Sequence, residues 1–132
     1  NNDILPIKNP QNSKNKILVT GPNANNQSIL GDWHMPQPDE NVYTVFEGIN
    51  QIGSKMGYVV HYHNSNENIK RISDDDIINT IEIASQYDIV IVVVGDNSMR
   101  YKWNQKTAGE NTARADLNLA GKQLDLVRRL NQ

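Results

Sequence analysis

The run Asp88-Ile89-Val90-Ile91-Val92-Val93-Val94 leaves this chain few architectures to choose from. After its first residue it is wholly apolar and β-branched, which favours an extended backbone over a helix. It is continuous rather than alternating, so it reads as a central strand covered on both faces, as in a parallel sheet sandwiched by helices. Gly95-Asp96 ends it, and a polar loop follows.

The rest of the chain supplies the elements such a sheet requires. Lys16-Ile17-Leu18-Val19-Thr20 reads as a first strand, stopped by Gly21-Pro22. Val42, Val45, Phe46, Ile49 and Ile52 recur at helical spacing, with Gly53 or Gly57 as the terminator. Residues 58–62 give a second strand. Ser73 is an N-cap ahead of Asp74, Asp75 and Asp76, acids placed to complement the helix dipole, and Ile77, Ile78, Ile81 and Ala84 form that helix's apolar face. A last helix, about Gly121 to Asn131, carries Leu124, Val127 and Leu130 on one face. The order β-α-β-α-β-loop-α predicts an α/β fold, a three-layer α/β/α sandwich on a mainly parallel sheet with strands at 16–20, 58–62 and 89–94. Residues 1–15, with Ile4-Leu5-Pro6-Ile7 and Asn9-Pro10, read as an extended arm and 16–132 as the domain. The alternation calls for a further strand after Gln132, so the chain reads as part of a larger protein.

A parallel sheet has one carboxyl edge, and ligand chemistry in open α/β sheets gathers there. Two long loops leave strands at that edge. The first carries Asp32-Trp33, and the second leads to Gly109-Glu110. Glu110 is therefore a candidate general acid or base. Trp33 offers an indole face suited to the C–H face of a sugar ring, and Asp32 could accept from its hydroxyls.

Other chemistries find little support. Gly21-Pro22-Asn23-Ala24 follows a strand but lacks the pattern and the prompt helix of a phosphate loop. His61 and His63 share a strand face without an evident third ligand, so no metal is expected. The three aspartates at 74–76 are explained by the helix dipole. Cysteine is absent, which removes disulfides and thiolate catalysis. A net charge of −2 gives no basic surface for nucleic acid, and no window approaches the roughly 20 apolar residues of a membrane span. Asn26-Gln27-Ser28 is a formal glycosylation sequon.

Five segments, taken in order, resemble the second domain of family 3 glycoside hydrolases, the α/β sandwich that follows the catalytic barrel. Asn2 to Lys8 is similar to the segment leading out of the barrel, and Lys16 to Ala24 to the family's K-I-A-V-I-G-P-x-A. Leu30-Gly31-Asp32-Trp33 resembles its G-x-W loop, and Ala84 to Gly95 its A-x-x-A-D-x-V-V-V-V-G. Gly109 to Gln123 is similar to G-E-x-x-x-R-x-D-L-x-L-P-G-x-Q, with Ala120 where the pattern has proline.

The resemblance implies a retaining β-glycosidase acting on an oligosaccharide or β-glycoside without a cofactor. Its aspartate nucleophile would lie in an N-terminal barrel of the same polypeptide, outside this chain. Glu110 would be the acid/base, Trp33, Asp32 and Arg114 would contribute to substrate binding, and the location would be periplasmic or extracellular. The alternative is a non-catalytic α/β module that binds carbohydrate or braces a neighbouring domain. The stretch Ser98-Met99-Arg100-Tyr101-Lys102-Trp103 receives no role from the sequence.

Overall fold

The computed structural model describes residues 5–7 and 15–132; most of the arm expected at 1–15 lies outside them. Three parallel strands, β1 (Lys16–Thr20), β2 (Val59–Tyr62) and β3 (Ile89–Val92), lie in the order β2-β1-β3. Ile17 pairs with Val60 on one side and with Ile89 on the other. The helices are α1 (Val45–Lys55), α2 (Asp74–Ala84) and α3 (Gln123–Leu130).

Among the described residues the central strand is β1, and the 88–94 run stands at its side as β3. Ile17, Leu18 and Val19 are buried, whereas every residue of β3 is only half-buried. The physical reason is that, among the described residues, β3 pairs on one side only. The alternation of side chains then sorts the core into two layers. Ile17, Val19, Tyr58 and Val60, with Ile89 and Ile91, pack with Phe46 and Ile49 of α1. Val92 packs on the opposite face with Ile72, Ile77 and Ile81, and with Leu126 and Leu130 of α3. Helices on both faces of a parallel sheet make the three-layer α/β/α class.

Both long helices are nucleated by reciprocal caps. Thr44 Oγ1 accepts from the Glu47 amide at 3.2 Å, while Glu47 Oε2 accepts from the Thr44 amide at 2.8 Å. Ser73 and Asp76 repeat the device at α2, with 3.1 and 2.8 Å. Asp76 is thus a capping partner as well as a dipole acid, and Asp74 reaches Lys122 at 2.6 Å, tying α2 to the start of α3.

Three expectations shift. Val42 is buried but precedes α1, which begins at its Thr44 cap, and Ile52 turns off the core stripe to line an apolar groove of about 500 Å³ with Ile7, Ile29 and Ile91. In α3 the inward face is Gln123, Leu126 and Leu130, not Leu124, because Leu126 is the residue that meets Ile77. On α2, Ile78 is exposed and Thr80 takes its place inside. Thr80 Oγ1 donates to the Asp76 carbonyl at 2.7 Å, which leaves its oxygen to accept from His63 Nε2 at 3.1 Å.

Candidate active site at the carboxyl edge

Gly21 is the first residue that the site depends on. Its φ is +104°, and a Cβ there would sit 2.3 Å from the Val93 carbonyl oxygen. That close approach lets the two carboxyl-end loops run side by side. Asn23 then bonds to the segment after β3, through its amide to Val93 O at 3.3 Å and through Nδ2 to Asp96 O at 3.2 Å.

The loop after β3 is closed at its neck by buried Asn97. Its amide donates to Thr107 Oγ1 at 2.9 Å, its carbonyl accepts from the Thr107 amide at 2.8 Å, and its Oδ1 accepts from the Met99 amide at 2.9 Å. A short 3-10 turn at Arg100–Gln105 follows, with an irregular backbone at Lys102. At the base, the buried Gln123 of α3 accepts from the Gly95 amide at 2.8 Å and donates to the Ala120 carbonyl at 2.9 Å.

Glu110 sits at the crest of this loop and is joined to Asp32 and Trp33. The Glu110 amide donates to Asp32 Oδ2 at 2.6 Å, across 78 positions of sequence. Lys106 Nζ donates to Asp32 Oδ1 at 2.9 Å and to the Glu110 carbonyl at 3.0 Å. The Lys106 side chain is 2% exposed, so its charge needs the Asp32 counter-charge beside it. The Lys106 ammonium, and after it the Glu110 amide, hold the Asp32 carboxyl below the usual carboxylate range. Gly109 makes the approach possible: at φ +95°, a Cβ would lie 2.6 Å from Asp32 Oδ2.

The Glu110 carboxylate itself is ion-paired with Arg100. The same guanidinium stacks on Trp33, its central carbon 3.9 Å from the ring centroid. Trp33 is nonetheless 78% exposed, so one face is backed and the other is open. Next to it, His34 meets the Tyr101 ring edge-on, with centroids 5.4 Å apart.

Of the expected site residues, Glu110, Asp32 and Trp33 form one constellation. Both Asp32 oxygens are engaged by Lys106 and Glu110. Arg114 stands apart from it: its guanidinium pairs with Asp96 and donates to the Asn118 carbonyl, which fastens the descending limb of the loop. Arg100, Lys106 and Gln123 are site-building residues that the sequence reading did not single out. Their bonds to Glu110, Asp32 and Gly95, respectively, reach across 10, 74 and 28 positions, and no periodicity reports such pairs.

His61 and His63 have separate partners, Tyr87 Oη at 2.9 Å and Thr80. Among the described residues there is no group of three or more His, Cys, Asp or Glu placed to hold a metal, and no helix is long and apolar enough to cross a membrane. Asn26 caps a short turn, its Nδ2 donating to the Pro22 carbonyl at 2.7 Å.

This arrangement, an edge glutamate beside an exposed tryptophan on a parallel sheet, meets a matching sequence signature. The glycosyl hydrolase family 3 C-terminal domain signature matches residues 1–132. The chain belongs to that family. A search of curated proteins finds no significant match. Among solved structures, the family 3 C-terminal domain described here is similar to part of a β-glucosidase from Erythrobacter marinus, at 22% identity and a TM-score of 0.59. The alignment covers 89% of this chain and 18% of that one, so the likeness bears on the fold. As a glycosyl hydrolase family 3 C-terminal domain, the chain implies an N-terminal domain elsewhere in the protein.

Proposed function

We propose that this domain supplies the general acid/base, Glu110, and a sugar platform, Trp33, to a retaining β-glycosidase. The aspartate nucleophile would come from a barrel domain of the same polypeptide. The observation that carries the reading is the single guanidinium of Arg100, which touches both the Trp33 ring and the Glu110 carboxylate.

In the first step the nucleophile attacks the anomeric carbon, the C–O bond to the leaving group breaks, and the Glu110 carboxyl gives its proton to the departing oxygen. In the second, the Glu110 carboxylate takes a proton from water as that water attacks the anomeric carbon and releases the aspartate. Such chemistry needs the two carboxyls about 5–5.5 Å apart. Asp32, already bonded to Lys106, contributes by fixing the Glu110 backbone and by edging the sugar site, and Arg114 by holding the loop against Asp96.

Glu110→Ala in the full-length enzyme tests the reading. A poor leaving group needs the proton and a good one does not, so alkyl glycosides should slow by about 10²–10⁴-fold and activated aryl glycosides less in the glycosylation step. Azide should restore turnover, since a small anion attacks the glycosyl-enzyme without a general base. Equal losses for good and poor leaving groups, with no azide effect, would reject Glu110 and favour the non-catalytic module.

A further inference from the structure

Arg100 belongs to the stretch that the sequence left without a role, and its guanidinium meets both Trp33 and Glu110. Its guanidinium lies 3.9 Å from the Trp33 centroid, pairs with the Glu110 carboxylate, and has Nε 3.8 Å from Asp32 Oδ1. The side chain is well anchored. Met99 before it is 1% exposed, and Tyr101 after it packs on His34, next to Trp33. The 99–101 and 32–34 segments therefore run together, with Arg100 as the cross-piece.

We infer that Arg100 is a positioning residue for glycoside cleavage, locking the Trp33 platform to the Glu110 carboxyl so that a sugar on the open face of Trp33 lies in register with the proton donor. The inference rests on the roles proposed for those two residues. Chemistry favours arginine here over lysine. A planar, delocalised cation can lie flat on an indole and still direct N–H donors sideways to a carboxylate, whereas an ammonium does one or the other. Trp33 has no other cation on its ring among the described residues, and Lys106, the other stacked cation, lies 4.7 Å from the Trp103 centroid and serves Asp32.

The experiment uses the full-length enzyme and a series of aryl and alkyl β-glucosides. Arg100→Ala should raise KM about tenfold for every leaving group, the loss of roughly one stacked and paired contact. It should also lower kcat about tenfold more for poor leaving groups than for good ones, because the donor is no longer held. Guanidinium ion at millimolar concentration should restore both, and ammonium should not. Arg100→Lys, which keeps the charge, should melt with the parent enzyme yet retain most of the KM defect. In fluorotryptophan-labelled enzyme, the Trp33 resonance, identified by its loss in Trp33→Phe, should move in Arg100→Ala.

Values of KM and kcat within twofold of the parent in Arg100→Ala would overturn the inference. So would an Arg100→Lys enzyme indistinguishable from the parent, or an unmoved Trp33 resonance. Failure of the acid/base reading looks different: Glu110→Ala then lacks leaving-group dependence and azide rescue, while Arg100→Ala still shifts Trp33 and raises KM. That outcome removes the Glu110 half of the inference.

Discussion

Helix α2 and the loop from Asp96 to Lys122 rest on the same sheet, yet they are held in place by different means. α2 is specified within its own sequence: a Ser73–Asp76 cap, acids in the first turn, and an inward stripe of Ile77, Thr80 and Ala84. The loop is specified from outside. Asp32, 74 and 78 positions distant from Lys106 and Glu110, sets its crest, and Gln123 sets its base. Local rules build the scaffold, and long-range charge pairs build the site.

The comparison is broken most severely from the core. Leu126→Ala empties a fully buried position against Ile77 and should lower unfolding free energy by about 2–5 kcal/mol. Glu110→Gln, on the exposed loop, should stay within about 0.5 kcal/mol of the parent. Urea titration of both variants decides the matter; equal losses would mean that loop and core are one cooperative unit.

Gly109→Ala tests the loop by its own rule. The left-handed backbone and the clash with Asp32 should cost about 1–3 kcal/mol. Because Glu110 is displaced with it, kcat/KM in the full-length enzyme should fall about 10²-fold. A variant that melts early but keeps its activity would show that Glu110 does not depend on the Asp32 contact.

This contrast also explains what could be read in the sequence. The strands, the cap at Ser73 and the three-layer order follow from β-branched runs and 3.6-residue spacing. The pattern misleads where it is ambiguous. The 88–94 run is more apolar than 16–20, yet among the described residues the strand neighbours, which no run of side chains encodes, put β1 between the other two. Leu124 and Leu126 differ by one helical face, and the choice between them is made by Ile77. Glu110, Trp33 and Asp32 were legible as loop residues at one sheet edge. Arg100 and Lys106 were not, since each is a cation in a polar loop until its partner is known.

Smaller effects sharpen the local side. Ser73→Ala removes a single cap and should cost about 1 kcal/mol in thermal unfolding, with activity unchanged. A deficit in kcat/KM there would show that α2 stability reaches the site.

The smallest effect is a pH dependence at the sheet–α2 junction. Burial pushes the His63 imidazole below its ordinary value of 6.5, and the charge of Asp76 opposes this only in part. The unfolded chain then binds the proton more readily than the folded one, so this contribution is present above pH 6.5 and lost as pH falls below it. Urea midpoints should decline from pH 7 toward pH 5. His63→Gln, which can still donate to Thr80, should flatten that decline.

The hydrogen bond from the Gly95 amide to Gln123 has a consequence for how such a domain diversifies. It spans 28 positions and joins the exit of the loop to its re-entry, the Gly95 amide lying 2.8 Å from the Gln123 side-chain oxygen, like the clasp of a purse. Residues added or removed between the two ends change the closure entropy only by about 0.6 kcal/mol per doubling of length, and they leave β3 and α3 where they were. The clasp therefore uncouples the span of the loop from the geometry of the sheet, so new lengths and new side chains can be tried above it while the fold beneath is undisturbed.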